Sequence, residues 1–152
     1  MTQSEFESWQ RVLAEDYAAE QVAIGRWAKE GAVQRARDSN AELLPLGLET
    51  PRMFVLSGVD SRGDVVGRAW VGLDHPRGAP DTAFLWDIEV AESKRGSGMG
   101  RALLKAVEGV VLDAGVSALE LNVFGNNGAA VALYESSGYA VTTQQMRKSL
   151  RA

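Results

Sequence analysis

The sequence predicts a mixed α/β fold, in which helices cover the faces of one sheet. Three changes in the spacing of apolar residues support this prediction. Roughly the first forty residues have the period of helices, residues 53–90 are rich in strand formers, and the helical period returns over residues 98–114. The predicted order is α-α-β-β-β-α-β-α-β. A chain of 152 residues has the length of one domain, so we expect a single domain covering residues 1–152.

Two helices are predicted before the sheet. The apolar face of the first recurs at helical spacing through Phe6, Trp9, Leu13, Tyr17 and Ile24. Ser4 and Glu7 have the spacing of a capping box, which predicts a start near Ser4. The second helix is expected over residues 30–44, since Pro45 and Gly47 would end it.

The strands are predicted from β-rich runs separated by turn residues. Residues 53–59 and 65–73 flank a segment rich in Asp and Gly, which is typical of a hairpin. Residues 82–90 are mostly apolar, which indicates a central strand. Residues 118–124 alternate as a further strand, residues 127–137 predict a helix, and residues 139–150 are expected to form an extended segment or hairpin.

Composition excludes several classes of function. The chain has no cysteine, which excludes disulfides, thiolate metal sites and cysteine nucleophiles, and its one histidine, His75, argues against a metal centre. A net charge of −4 argues against a nucleic-acid partner. Neither a signal peptide nor an apolar stretch of about 20 residues is visible, so we expect a cytoplasmic protein without membrane contact. A homodimer is left open.

A glycine-rich segment follows the predicted central strand and precedes a helix. This glycine loop consists of Arg95, Gly96, Ser97, Gly98, Met99, Gly100 and Arg101. Glycines let a backbone approach an anion closely, and the N–H groups of a helix start favour negative charge, so the loop suits a phosphate. The alternative is a purely steric role in a tight turn. The loop lacks the Lys-Ser/Thr ending of a P-loop and the spacing of a dinucleotide fold.

Two motifs resemble those of the GNAT superfamily of N-acetyltransferases. Arg95, Gly98 and Gly100 match its first motif, Arg/Gln-x-x-Gly-x-Gly/Ala, which follows a central strand. Residues 127–139, NGAAVALYESSGY, resemble its second motif, commonly N-x-x-A-x-x-L-Y-x-x-x-G-F/Y. The resemblance implies a mostly antiparallel sheet that is splayed at the cofactor site, with helices on both faces. Members usually begin with a strand, whereas this chain begins in a helix, so we expect that edge strand to be absent, supplied by another subunit, or lost to the choice of start.

The resemblance also implies that acetyl-CoA is the cosubstrate and that no metal takes part. The backbone at the end of the strand would bind the pantetheine arm as an added strand, and the glycine loop would bind the diphosphate. Arg95 and Arg101 are alternatively solvated, and Asn127 alternatively caps its helix. The residues assigned to the cofactor on this basis are Ile88, Glu89, Val90, Arg95, Gly96, Ser97, Gly98, Met99, Gly100, Arg101, Asn127 and Tyr134.

Three residues are candidates for the chemistry. Tyr134 matches the position from which GNAT enzymes often protonate the leaving thiolate; the alternative is a core tyrosine. Asp87 and Glu89 alternate with apolar residues along one strand and should share a face, where they would take up protons or hold a cationic amine. The alternative is pairing with a residue such as Arg68. His75 is a weaker candidate base, which we expect at the surface.

The predicted function is therefore acetyl transfer to a primary amine of a small molecule or peptide, by direct attack through a tetrahedral intermediate. Two alternatives stay open, a non-catalytic acyl-CoA-binding module of the same fold and a transferase that uses a different acyl-CoA. Acceptor specificity is expected to reside in the N-terminal helices and in the loops at residues 43–51 and 74–81.

Overall fold

The computed structural model describes residues 1–151, and its helices and strands follow the predicted order as far as the last helix, without the final β element. They are α1 Gln3–Ala23, α2 Ala32–Leu43, β1 Met53–Val59, β2 Val65–Gly72, β3 Thr82–Val90, α3 Met99–Asp113, β4 Ala118–Leu121 and α4 Gly128–Ser136. Short 3₁₀ turns lie at Gly47–Glu49 and Glu92–Lys94. No helix within residues 1–151 has both the length and the apolarity that are needed to span a membrane.

Helix α1 begins two residues earlier than the sequence pattern suggested. Thr2 is the N-cap: its hydroxyl oxygen accepts from the Glu5 N–H at 3.2 Å, and Glu5 Oε2 accepts from the Thr2 N–H at 2.6 Å. The prediction of a start at Ser4 was therefore wrong, because two overlapping pairs have capping-box spacing and only Thr2 has the extended backbone of an N-cap.

The four strands form one mixed sheet in the order β1-β2-β3-β4. The first two pairs are antiparallel, while β3 and β4 are parallel over Thr82–Leu85 and Ala118–Leu121. Strand β3 continues for five residues beyond this ladder, to Val90, whereas β4 ends at Leu121 and is shorter than predicted. The parallel pair therefore separates half-way along β3, which confirms the predicted mixed, splayed sheet.

A β-bulge marks the point at which the ladder ends. Trp70 pairs with Asp87 and Val71 pairs with Leu85, so Trp86 is an extra residue in β3. The Trp86 ring stacks on Trp70 at 5.4 Å between centroids. Because Asp87 lies opposite Trp70 in the register, the bulge turns both Trp86 and Asp87 toward one face of the sheet.

The two faces of the sheet are covered by different helices. Helix α1 covers the face of Trp70, against which Trp9 packs. Helix α3 covers the other face, where an added Cβ at Gly58 or Gly67 would lie 2.7 or 2.8 Å from the Leu103 side chain. These two strand glycines therefore let α3 lie close to the sheet near the end of β3. The core under α3 consists of the buried residues Ala69, Val71, Ala83, Leu85, Leu103, Leu104, Val107 and Val111.

The chain forms two compact units, of which Met1–Leu121 is the first. The second, from Asn122 onward, contains α4. Up to Arg151, the residues after Tyr139 are exposed and form neither helix nor strand. Of the two expected alternatives, an extended segment or a hairpin, the hairpin is therefore absent there. The pattern explains this, because Val141, Met146 and Leu150 recur at five and four residues rather than at the spacing of two that a strand needs. The single domain stays a prediction.

Candidate active site

The glycine loop forms an open turn between β3 and α3. Gly96 and Gly98 have φ angles of 77° and 80°, a region that other residues rarely adopt, and both are exposed. Gly98 is the N-cap of α3, and no side chain in residues 1–151 caps that helix. An added Cβ at either glycine would meet no atom of the described chain within 4 Å. The positive end of α3 therefore faces open space, which fits the diphosphate of a CoA thioester.

Arg95 does not extend from this loop but folds back along β3. Its Nε donates to the Val90 carbonyl at 3.1 Å, and its Nη2 lies 3.2 Å from Glu89 Oε1. One guanidinium thus binds the last carbonyl of β3 and one of the two predicted acids. A ligand strand that reaches the same end of β3 would compete with this arrangement.

Asp87 and Glu89 share one face of the sheet, as predicted. In the register they lie opposite Trp70 and Arg68, on the side that α1 covers. The ion pair that the structure gives Glu89 is to Arg95, whereas the alternative partner considered from the sequence was Arg68. Asp87 has a donor from a distant element: Trp9 Nε1 donates to Asp87 Oδ2 at 3.2 Å.

The surroundings of Asp87 make it an unusually basic carboxylate. Burial raises the pKa of Asp87 to about 6, while the Trp9 hydrogen bond lowers it and the negative charge of Glu89 raises it further. The charges of Arg68 and Glu20 have smaller and opposite effects on this pKa. Burial, followed by the charge of Asp16, raises the pKa of Glu20 on α1. Asp16, Glu20, Asp87 and Glu89 together form what we call the acidic face.

His75 is buried, and its predicted position at the surface was wrong. Its side chain is 2% exposed, its Nδ1 accepts from the Arg77 N–H at 3.0 Å, and its Nε2 lies 2.9 Å from Glu120 Oε1. The imidazole also packs edge-on against Phe84. Phe84 lies six residues before Val90, which is about 20 Å along a strand. His75 is therefore far from the glycine loop and is not the base of that site.

The residues of the second motif form α4 and the turns at its two ends. Asn127 Oδ1 accepts from the Ala130 N–H at 3.2 Å and caps this helix, as the capping alternative predicted. Tyr134 is half-buried, and its ring lies 5.8 Å from that of Tyr139 in an edge-to-face contact. Asn127 and Tyr134 are seven residues apart, or about two helical turns, so both lie on the same side of the helix.

The sequence pattern did not reveal what α1 contributes here, namely Asp16 and Glu20 of the acidic face and the indole of Trp9, nor the bulge close to them. Trp9 was identified only as part of an apolar helix face, since nothing local links it to Asp87, 78 residues later. The bulge at Trp86 also has no signature in the sequence. A cleft of about 450 Å³ lies at the opposite end of the sheet and is lined in part by His75, Asp81 and Val116. It includes the weaker candidate His75 and much of the 74–81 loop, but none of the residues assigned to the cofactor and neither Asp87, Glu89 nor Tyr134.

A family profile and two relatives of nearly full-length coverage all indicate an acetyltransferase. The profile of the acetyltransferase (GNAT) family matches residues 9–139. The uncharacterized N-acetyltransferase YycN of Bacillus subtilis is 33% identical over 150 residues, which cover 99% of this chain and 96% of YycN. The uncharacterized N-acetyltransferase YdgE of the same organism is 28% identical over 152 residues, or 99% of this chain and 95% of YdgE.

One solved structure and one relative of named substrate extend the comparison. The crystal structure of YycN superposes with a TM-score of 0.92 at 33% identity, covering 100% of this chain and 96% of that one. The L-2,4-diaminobutyric acid acetyltransferase of Nocardia farcinica is 35% identical over 111 residues, which cover 73% of this chain and 55% of that enzyme.

Proposed function

We propose that this chain, which belongs to the acetyltransferase (GNAT) family and is an N-acetyltransferase, transfers an acetyl group from acetyl-CoA to a primary amine of a small molecule or peptide. The observation that carries the choice of donor is the glycine loop. It joins the free end of β3 to an uncapped helix start, with two exposed glycines at positive φ. The N–H groups of residues 96–101 would bind the diphosphate, with Ser97, Met99 and Arg101 contributing through their backbone.

The last residues of β3 would hold the pantetheine arm. Strand β3 extends beyond its ladder with β4, so the backbone of Ile88, Glu89 and Val90 can accept an added strand. The Val90 carbonyl already accepts from Arg95, so the guanidinium must release it if pantetheine is to bind there. Arg95 would then be free to turn toward the diphosphate.

The acidic face supports an amine as the acceptor. An alkylammonium with a pKa near 10.4 is only about 0.04% neutral at pH 7, a cost of about 4–5 kcal/mol. Negative charge from Asp87, Glu89 and α1 attracts the ammonium form. The raised pKa of Asp87, about 6, leaves it ionised at neutral pH and more basic than an ordinary carboxylate. Asp87, with Glu89 as the second candidate, would therefore accept the amine proton, directly or through water.

The transfer step needs the attacking amine, a carboxylate that accepts its proton, and a hydroxyl that protonates the leaving thiolate. The neutral amine attacks the thioester carbonyl carbon, the tetrahedral intermediate collapses, and the carbon–sulfur bond breaks. The amine proton passes to Asp87 or Glu89. The CoA thiolate, whose thiol has a pKa of about 8.5, takes a proton from the Tyr134 hydroxyl. Asn127 would bind pantetheine while it caps α4.

A screen of acyl-CoAs against amines tests this proposal. Thiol release is measured for acetyl-, propionyl- and succinyl-CoA with a panel of diamines, amino acids, aminoglycosides and peptides, beside thermal shifts with each CoA ester alone. We expect acetyl-CoA to stabilise the protein and to release thiol only when an amine is present. Stabilisation without release for any amine would favour the non-catalytic binding module, and faster release from another ester would identify a different donor.

A further inference from the structure

We propose that Trp9 is a positioning residue for the acceptor: its indole N–H holds Asp87 Oδ2 on the side of α1 and leaves Oδ1 to meet the amine. This inference rests on the proposed function, in which Asp87 faces the acceptor. The contact joins α1 to β3: Trp9 Nε1 lies 3.2 Å from Asp87 Oδ2, although the two residues are 78 positions apart in the sequence.

The donor is held rigidly. Trp9 is 2% exposed and lies in the core cluster beneath α1. Its ring contacts Phe6 at 5.7 Å on its own helix and meets Trp70 of β2 edge-on at 5.6 Å. A ring that is packed on two sides cannot turn without moving α1 or β2. The indole N–H therefore has one direction, and that direction is toward Asp87.

The hydrogen bond distinguishes Trp9 from its aromatic neighbours. Trp70 and Trp86 lie on the same face of the sheet and stack on each other at 5.4 Å. Their Nε1 atoms are buried without a hydrogen-bond partner among the described residues. One indole of the three thus binds the carboxylate, and the other two only pack. Replacing Trp9 by Phe, and separately Trp86 by Phe, removes one N–H in each case. The comparison therefore distinguishes the loss of the hydrogen bond from the loss of packing.

The bond also opposes the effects of burial and of the neighbouring acids on the pKa of Asp87. The groups that act on this carboxylate are Trp9 and Glu20 from α1, Arg68 from β2, and Glu89 from β3 itself. Burial and the two acids favour the protonated form, whereas Trp9 and Arg68 favour the carboxylate. Without the indole N–H, Asp87 would lose both its fixed orientation and part of the stabilisation of its charged form.

The test compares Trp9→Phe with Trp86→Phe, which removes a buried N–H that has no partner among the described residues and keeps Phe6 and Trp70, the two rings that pack against Trp9. In Trp9→Phe, a carboxyl ¹³C titration should show the pKa of Asp87 raised by about 0.5 to 1 unit, the value of one hydrogen bond. The acidic limb of kcat/KM, measured with an amine from the screen, should move by the same amount. Trp86→Phe should leave both unchanged, and CoA-induced stabilisation should survive in both variants.

The wild-type protein provides a second measurement in case Trp9→Phe does not fold. The ¹H and ¹⁵N shifts of the Trp9 indole should titrate with Asp87, while those of Trp70 and Trp86 should stay constant. An indole of Trp9 that does not titrate overturns the inference, as does a Trp86→Phe rate profile that moves as far as that of Trp9→Phe. A third outcome also overturns the positioning role: the Trp9 indole titrates in the wild-type protein, but the pH profile of kcat/KM does not move in Trp9→Phe. That outcome would leave the proposal of acetyl transfer unaffected.

Discussion

The glycine loop and the acidic face lie at the same end of β3 but are built in opposite ways. The loop is continuous in sequence and exposed, and it presents backbone N–H groups from a helix start. The acidic face is assembled from α1 and β3, and its central residue is half-buried. A backbone site needs only a short segment with the right dihedral angles. A side-chain site depends on which elements pack together.

The two regions also differ in what they cost the folded protein. The glycines adopt positive φ without strain. Asp87 must instead be ionised in a place that disfavours its charge, since its pKa rises from 3.8 to about 6. The shift is equivalent to about 3 kcal/mol at a pH above both values. A carboxylate whose charge destabilises the folded protein is expected where function requires it. If Asp87 had no such role, a neutral residue could replace it without loss of stability.

The largest expected effect is the loss of CoA binding in Gly98→Val. A side chain at this positive φ costs about 1–2 kcal/mol and blocks the close approach of an anion. Gly63→Val is the matched control, because Gly63 has a φ of 87° in the β1–β2 turn and is equally open within the described chain. Thermal shift with CoA should vanish for the first variant and persist for the second. A folded Gly98→Val protein with unchanged CoA affinity would remove the loop from the site.

Tyr134→Phe should reduce kcat and kcat/KM together by about 10² to 10³, since the lost hydroxyl acts only in the transition state. The ring and its contact with Tyr139 are kept, so the fold and CoA binding should survive. Steady-state kinetics from pH 6 to 10 check this, with Tyr139→Phe as the control. A Tyr134→Phe rate within about threefold of wild type would return this residue to a packing role and leave solvent as the acid.

Asp87→Asn should stabilise the protein while it slows acetyl transfer. Because the pKa of Asp87 is raised on folding, its charge destabilises the native state above about pH 6, and this penalty is absent below about pH 3.8, where both states are protonated. The gain should reach up to about 3 kcal/mol at pH 8 and fall to about 0.5 kcal/mol at pH 4. Urea denaturation at the two pH values measures it. Glu89→Gln is the contrast, since the Glu89 side chain is 39% exposed and should give little gain. An Asp87→Asn protein that is destabilised at pH 8 would argue for a structural role.

The smallest effect concerns the contact between the two regions. Glu89→Gln removes the ion pair that holds Arg95 on β3 and should strengthen CoA binding by up to about fivefold, the range for an exposed pair. In an Arg95→Gln background the same change should have no effect, which calorimetric titration with CoA can measure. An equal gain in both backgrounds would mean that Glu89 only repels the phosphates. Glu92→Gln is a control for such repulsion, since Glu92 is exposed just before the loop.

Sequence patterns predicted the features that depend on neighbours in the chain. The element order, the strand-to-helix position of the glycine loop and the Asn127 cap each arise from a short segment, because dihedral preferences and capping act over a few residues. The shared face of Asp87 and Glu89 follows from strand alternation alone. The start of α1 was ambiguous even so, since both Thr2 and Ser4 have an acid three residues later. Only the backbone conformation of the folded chain identifies Thr2 as the N-cap.

The amino-acid sequence by itself therefore determined the mixed α/β fold, the motifs of the family and the open loop suited to a diphosphate. Tertiary structure alone decided that His75 is buried, that Trp86 forms a bulge, that Arg95 turns back to Glu89, and that Trp9 meets Asp87 across 78 residues. The physical reason is the range of the interactions. Backbone preferences are local, whereas burial and side-chain hydrogen bonds depend on which surfaces the packed elements bring together.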